Sequence, residues 1–150
     1  MAFGAFDGVH TGHLYYLKAA KKLGGFLVVS IGRDRARWKL PRKYNLPEAE
    51  RRALVEGLGI ADRVVLGSTK KSLQRIAEVN PDVIALTCYH PVDGKLLQME
   101  LEKAGLKARV VLIKPYKPEI YDCVFGVKPI VKKAKRSVPC RKPHAVKRRK

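Results

Sequence analysis

The sequence predicts an α/β fold, a doubly wound parallel sheet with helices on its faces. Three observations predict it. Short apolar runs alternate with longer stretches of helical periodicity from Met1 to Ile113. Turn and helix-stop signals such as Gly59, Asn80-Pro81 and Gly105 separate them. The chain is 150 residues long and 46% hydrophobic, enough for one domain with a real core.

The elements follow in order. Met1 to Phe3 reads as a first strand that runs into a helix from Leu14 to Leu23. Phe26 to Ile31 is a continuous apolar run, as in a buried strand. Gly32 to Asn45 is a basic loop carrying Arg33, Arg35, Arg37, Lys39, Arg42 and Lys43. Leu46-Pro47 opens a helix that reaches about Leu58, with Glu48 and Glu50 favourable to its dipole. Arg63 to Leu66 is a short strand, and Ser68 or Thr69 can cap a helix through Val79. Asp82 to Leu86 is the next strand. Leu96, Leu97, Leu101 and Ala104 give an apolar face to a helix from Gly94 to Ala104. Ala108 to Ile113 completes the sheet. Right-handed crossovers make this a Rossmann-like, open sheet in a single domain. The first strand is short for a central one, which leaves neighbouring ladder groups unpaired. A strand that starts upstream, or a trimmed N-terminus, is the expectation.

Ligands in such sheets bind beyond the carboxyl ends of the strands. Two segments fall there, Thr87 to His90 and the run Gly4-Ala5-Phe6-Asp7-Gly8-Val9-His10-Thr11-Gly12-His13. The second places two histidines three residues apart at a strand-to-helix junction. A helix N-terminus presents backbone N–H groups and a positive dipole end to anionic oxygens. Gly12 allows close approach of the backbone, and both imidazoles can donate to phosphate oxygens, more strongly when cationic. The run therefore reads as a nucleotide triphosphate site. Histidines that only cap a helix are the competing reading.

Net charge is +19, and its distribution matters more than its size. Residues 128–150 hold eleven Lys or Arg and no acid, against a balance of +8 for residues 1–127 (21 basic less 13 acidic). We read 1–127 as the functional domain and 128–150 as a basic, partly disordered tail. Such a tail offers nonspecific contact with nucleic acid, although no aromatic follows Phe125 to stack on bases. Cys88, Cys123 and Cys140 show no zinc spacing, and no residue set reads as a metal site. No apolar run of about 18 residues or signal peptide is present, so a cytoplasmic location is expected.

The histidine run resembles the Gly-Thr-Phe-Asp-x-x-His-x-Gly-His signature of the nucleotidyltransferase superfamily, which includes cytidylyltransferases and archaeal FAD synthases. Ile31-Gly32-Arg33-Asp34, Leu46 to Glu56, Val65 to Ser68 and Asn80 to Ile84 are similar to blocks of the archaeal FAD synthases. The resemblance implies transfer of AMP from ATP to FMN with pyrophosphate release, assisted by Mg²⁺ or another divalent cation. It implies catalytic roles for His10, His13 and Lys39, with Lys43 as the other candidate lysine. It places Ala5, Phe6, Asp7, Thr11, Gly12, Tyr89 and Tyr116 at the nucleotide or acceptor. Asp7 would face the acceptor or a hydrated metal. Arg51 would reach the phosphates, or else be a solvated helix charge or pair with Glu48 or Glu56. Tyr116 would lie near the nucleotide or be a surface loop residue.

Three departures bear on substrate identity. Ala5 replaces the family's Thr, and Thr87-Cys88-Tyr89-His90 replaces a Gly-Pro-Asp-Gln-like segment near the family's base pocket, with Tyr89 at the acidic position, so altered base recognition is expected. An Ile-Ser-Ser-Thr-like loop has no counterpart, with Asp122 to Phe125 near its place. A cytidylyltransferase acting on a phosphorylated alcohol, a nucleotide binder without turnover and a nucleic-acid-binding protein are the alternatives. A homodimer is compatible with the fold.

Overall fold

The computed structural model describes residues 1–35, 45–68, 73–88 and 90–117. Its sheet contains β1 (Ala2–Gly4), β2 (Val28–Ile31), β3 (Arg63–Leu66), β4 (Val83–Thr87) and β5 (Arg109–Ile113). The helices are α1 (Thr11–Lys21), α2 (Glu48–Gly57), α3 (Gln74–Val79) and α4 (Gly94–Lys103). Every strand pair is parallel, in the order β3-β2-β1-β4-β5. The chain moves outward from β1 through β2 to β3, then returns to the other side of β1 for β4 and β5. The switch point thus lies between β1 and β4, where a ligand crevice opens at the carboxyl ends of the strands.

Buried side chains divide between the two faces of the sheet. Tyr16, Leu17 and Ala20 of α1 join Val55 of α2, Val29, Ile31 and Phe6 in one cluster. Ile76 of α3 joins Leu97 and Leu101 of α4, Ile84 and Leu86 in the other, with Phe3 packed against it. All four residues of β2 are buried, as expected of a strand covered on both faces.

The short first strand is accommodated by a side chain. β1 pairs with β2 over Ala2↔Val29, Phe3↔Ser30 and Gly4↔Ile31, but with β4 only at Ala2↔Ala85. Beyond that point the buried Tyr16 hydroxyl fills the gap. It accepts from the Phe3 amide at 3.2 Å and donates to the Ala85 carbonyl at 2.7 Å. Ladder groups exposed by the parting strands are therefore satisfied from α1.

Several boundaries differ from the sequence reading. α1 starts at Thr11 rather than Leu14, because His10 caps it. β2 starts at Val28, and Phe26 is 66% exposed in the preceding turn. α3 starts at Gln74 behind Leu73, so Ser68 does not cap it. On α4 only Leu97 and Leu101 are buried, while Leu96 is 60% exposed. Asn80, in left-handed backbone (φ 46°), ends α3. Lys39, Lys43, Tyr89, Cys123, Cys140, Asp122 to Phe125 and the basic tail lie outside the described residues.

Candidate nucleotide site

The site is built from the turn that joins β1 to α1. Phe6 adopts positive φ (53°), which a bulky residue tolerates only when its surroundings fix it. Burial does so, since the ring is 1% exposed in the α1-side core. Gly8 takes φ 85°, a conformation open to glycine, and extended His10 follows as N-cap.

The two histidines form a reciprocal cap. His10 Nδ1 accepts from the Gly12 amide at 3.1 Å, and His13 Nδ1 accepts from the His10 amide at 3.4 Å. The capping reading and the ligand reading are therefore both compatible with one geometry. With Nδ1 an acceptor, each neutral ring carries its proton on Nε2, which is a donor. The rings lie 4.0 Å apart, and His13 rests against Phe6 at 5.2 Å. Burial lowers the pKa of His10 below its ordinary value. Burial, with the charge of His10 second, lowers that of His13 to about 4. Both are neutral donors in the unliganded protein.

Backbone donors contribute less than expected. Gly12 N–H is taken by His10 Nδ1, and those of His13 and Leu14 by the His10 carbonyl. Among the described residues, Thr11 alone of that turn keeps an amide without an acceptor. No acid occupies the first turn of α1, so its positive dipole end is not neutralised there.

Asp7 and Arg51 are structural clasps. The Asp7 carboxylate accepts from the Asn45 amide (3.1 and 2.9 Å), the Asn45 side chain (3.0 Å) and the Leu46 amide (3.0 Å). It ties the entry of α2 to the motif. Arg51 is fully buried. Its guanidinium donates to Leu46 O (3.0 Å), Ala5 O (2.6 Å), Gly32 O (2.8 Å) and Asp34 Oδ1 (2.6 Å). It is neither a solvated charge nor the partner of Glu48 or Glu56. Arg52 holds Glu56, and Arg33 holds Glu48. Asp34 and Glu48 exchange backbone-to-carboxylate bonds at 2.8 and 3.0 Å. Desolvation works against the Asp34 carboxylate. The Glu48 amide and the Arg51 and Arg33 cations outweigh it and hold its pKa below the usual value. Both stems of the basic loop are thereby fixed beside the motif.

Two further aromatic residues complete the surroundings. Tyr116 stacks on Tyr15 of α1 with centroids 5.1 Å apart, which places it on the outer side of that helix. His90, the last residue of the Thr87 to His90 segment that the sequence places at the carboxyl ends of the strands, follows β4 at the switch point with its ring 6.2 Å from Phe3. Among the described residues, no three His, Cys, Asp or Glu side chains cluster as metal ligands.

A histidine pair over a helix N-terminus, at the switch point of a parallel sheet, defines an α/β protein that handles phosphorylated ligands. The sequence model of the Cytidylyltransferase-like family matches residues 1–138, and the chain belongs to that family. It is 40% identical to an FAD synthase of Ferroglobus placidus over 114 residues, 76% of this chain and 74% of that protein. It is 38% identical to an FAD synthase of Methanosarcina mazei over 135 residues, 89% of this chain and 88% of that one. Among solved structures, a protein of Thermoplasma volcanium described as a lipopolysaccharide core biosynthesis protein superposes with TM-score 0.74 at 36% identity. That match covers 77% of this chain and 95% of the other. No helix among the described residues is long and apolar enough to cross a membrane.

Proposed function

We propose that the protein is an FAD synthase-type adenylyltransferase, which moves AMP from ATP to the phosphate of FMN and releases pyrophosphate. The similarity to FAD synthases over most of the chain supports the substrate pair. The observation that carries the chemistry is the pair of Nδ1-locked histidines at the start of α1.

An FMN phosphate oxygen attacks the α-phosphorus of ATP. The new P–O bond forms as the bond to the β-phosphate bridging oxygen breaks, and that oxygen leaves with pyrophosphate. Charge gathers on the equatorial oxygens of the α-phosphoryl group and on the leaving group. The chain therefore acts mainly by positioning and electrostatics. His10 and His13 present Nε2–H to the α- and β-phosphate region. Because Nδ1 of each is held by an amide, the donors are oriented before the nucleotide arrives. The bound anion raises both histidine pKa values and strengthens the bonds. Lys39 is the proposed cation from the basic loop. Arg51 and Asp7 are positioning residues that hold the loop stems to the motif. The Mg²⁺ expected with ATP binds the phosphates as part of the substrate.

The test is to incubate the protein with Mg²⁺, FMN and ATP, and to separate the products by chromatography. FAD and pyrophosphate in equal amounts are expected. Pyrophosphate released only from CTP with a phosphorylated alcohol would move the protein to the cytidylyltransferases.

A further inference from the structure

β1 and β4 flank the switch point, yet they pair only at Ala2↔Ala85. There the Ala85 amide donates to Met1 O at 2.8 Å. In the same register Gly4 would pair with Thr87 next, the Thr87 amide donating to Phe3 O. That pair is not formed. β4 itself continues through Thr87, paired with β5 along its whole length. The two strands therefore part just before the crevice begins.

A side chain stands where they part. The Tyr16 hydroxyl lies 2.7 Å from Ala85 O and 3.2 Å from both the amide and the carbonyl of Phe3. Its proton goes to the nearer acceptor, Ala85 O, and its oxygen accepts from Phe3 N–H. Burial raises its pKa, so it remains a donor. Packing does not call for this oxygen, because a phenylalanine would fill the same place in the α1-side core without burying a polar group. Tyr16 also follows His13 by three residues on α1, so the two share a helix face. One hydroxyl thus ties the histidine-bearing end of α1 to both strands that border the crevice.

We propose that Tyr16 is a positioning residue, its hydroxyl ending the β1–β4 ladder so that the crevice stays open with His13 held beside it. The proposal rests on the nucleotide-transfer reading of that crevice.

Tyr16→Phe keeps the ring and removes one oxygen. The Thr87 amide can then reach Phe3 O, and the ladder extends towards the crevice. Amide hydrogen exchange, followed by NMR on the full chain, reads that change, with melting temperatures to verify folding. Exchange at Thr87 is expected to slow by about tenfold or more. A merely structural loss does the reverse, because a destabilised strand opens more often and exchanges faster. With the crevice narrowed and His13 displaced, FAD formation at saturating substrates is expected to fall about tenfold, and ATP affinity by calorimetry about threefold to tenfold. Ile76→Val, which removes a methyl from the α4-side core, is the control and should leave rate and affinity at wild-type values. A measurement on wild type needs no variant: the Tyr16 hydroxyl proton is expected as a slowly exchanging signal close to the Phe3 amide proton. Unchanged or faster Thr87 exchange in folded Tyr16→Phe would overturn the assignment. So would slowed exchange with wild-type rate and affinity, or a rapidly exchanging hydroxyl in wild type. Slowed exchange with weakened ATP binding, in a chain that makes no FAD, would uphold Tyr16 and refute the proposed reaction instead.

Discussion

Replacing Arg51 by Met should destabilise the protein far more than any other single loss of surface-type charge. Four hydrogen bonds disappear with the guanidinium, to Leu46 O, Ala5 O, Gly32 O and Asp34. The methionine stem fills much of the space, so the cost is chiefly polar. Three carbonyl oxygens lose a charged donor, and a buried acceptor left unpaired costs about 1–3 kcal/mol. Asp34 is 42% exposed and regains water, so its ion pair adds little. Relaxation and water entry offset part of the sum, leaving about 3–5 kcal/mol, the usual result of breaking a buried pair. At about 2–4 °C per kcal/mol for a chain of this size, the melting temperature should fall by roughly 6–20 °C. Urea unfolding followed by circular dichroism measures the loss directly. Arg52→Met is the control, because that exposed pair with Glu56 is worth under about 0.5 kcal/mol. Arg51→Met and Arg52→Met with equal stabilities would refute the clasp.

Three other outcomes follow from the same geometry. Gly4→Ala would place a methyl 2.6 Å from Phe6 Cε2, and that ring is buried beside His13. FAD formation should fall about tenfold to a hundredfold through misplacement of the histidine, and a steady-state rate equal to wild type would contradict this. His13 and His90 have folded-state pKa values near 4, below the 6.5 of the unfolded chain. The unfolded state binds more protons between these values, so their contribution is present above pH 6.5 and is lost as pH falls towards 4. By pH 5 each should have cost on the order of 1–2 kcal/mol, seen as a flatter pH profile of urea stability in His90→Asn or His13→Gln. If the basic tail contacts RNA, deleting Ser137 to Lys150 should leave turnover unchanged and weaken salt-dependent RNA binding. RNA affinity that survives the deletion would show that the tail is not the contact.

Most of the sheet was legible because buried parallel strands read as continuous apolar runs alternating with helices, whereas the order β3-β2-β1-β4-β5 was not, because that alternation suits more than one doubly wound order. Phe26 misled that reading, since an apolar run does not reveal where a turn ends and pairing begins. Leu96 misled it in the same way, because helical spacing marks a face but not how much of it the sheet covers. The histidine pair was visible as a motif. Its tautomer was not, because the mutual Nδ1 caps depend on the extended conformation of His10. Arg51 carried a signal that was passed over. It lies four residues before buried Val55, on the inward stripe of α2, where a charge must find partners or remain unfolded. Asp7 could not have been assigned from sequence, because its partners lie 38 and 39 residues away.

The central claim is that the histidine pair assists attack on the α-phosphorus of ATP by FMN. The most direct measurement uses ATP labelled at the α-phosphorus, with FMN, in wild type and His13→Ala. The account predicts that label enters FAD in step with pyrophosphate release, and that the variant is slower by about 10²–10³-fold at saturating substrate, the effect of losing one transition-state donor. Label that never reaches the flavin, or a His13→Ala rate equal to wild type, would contradict it.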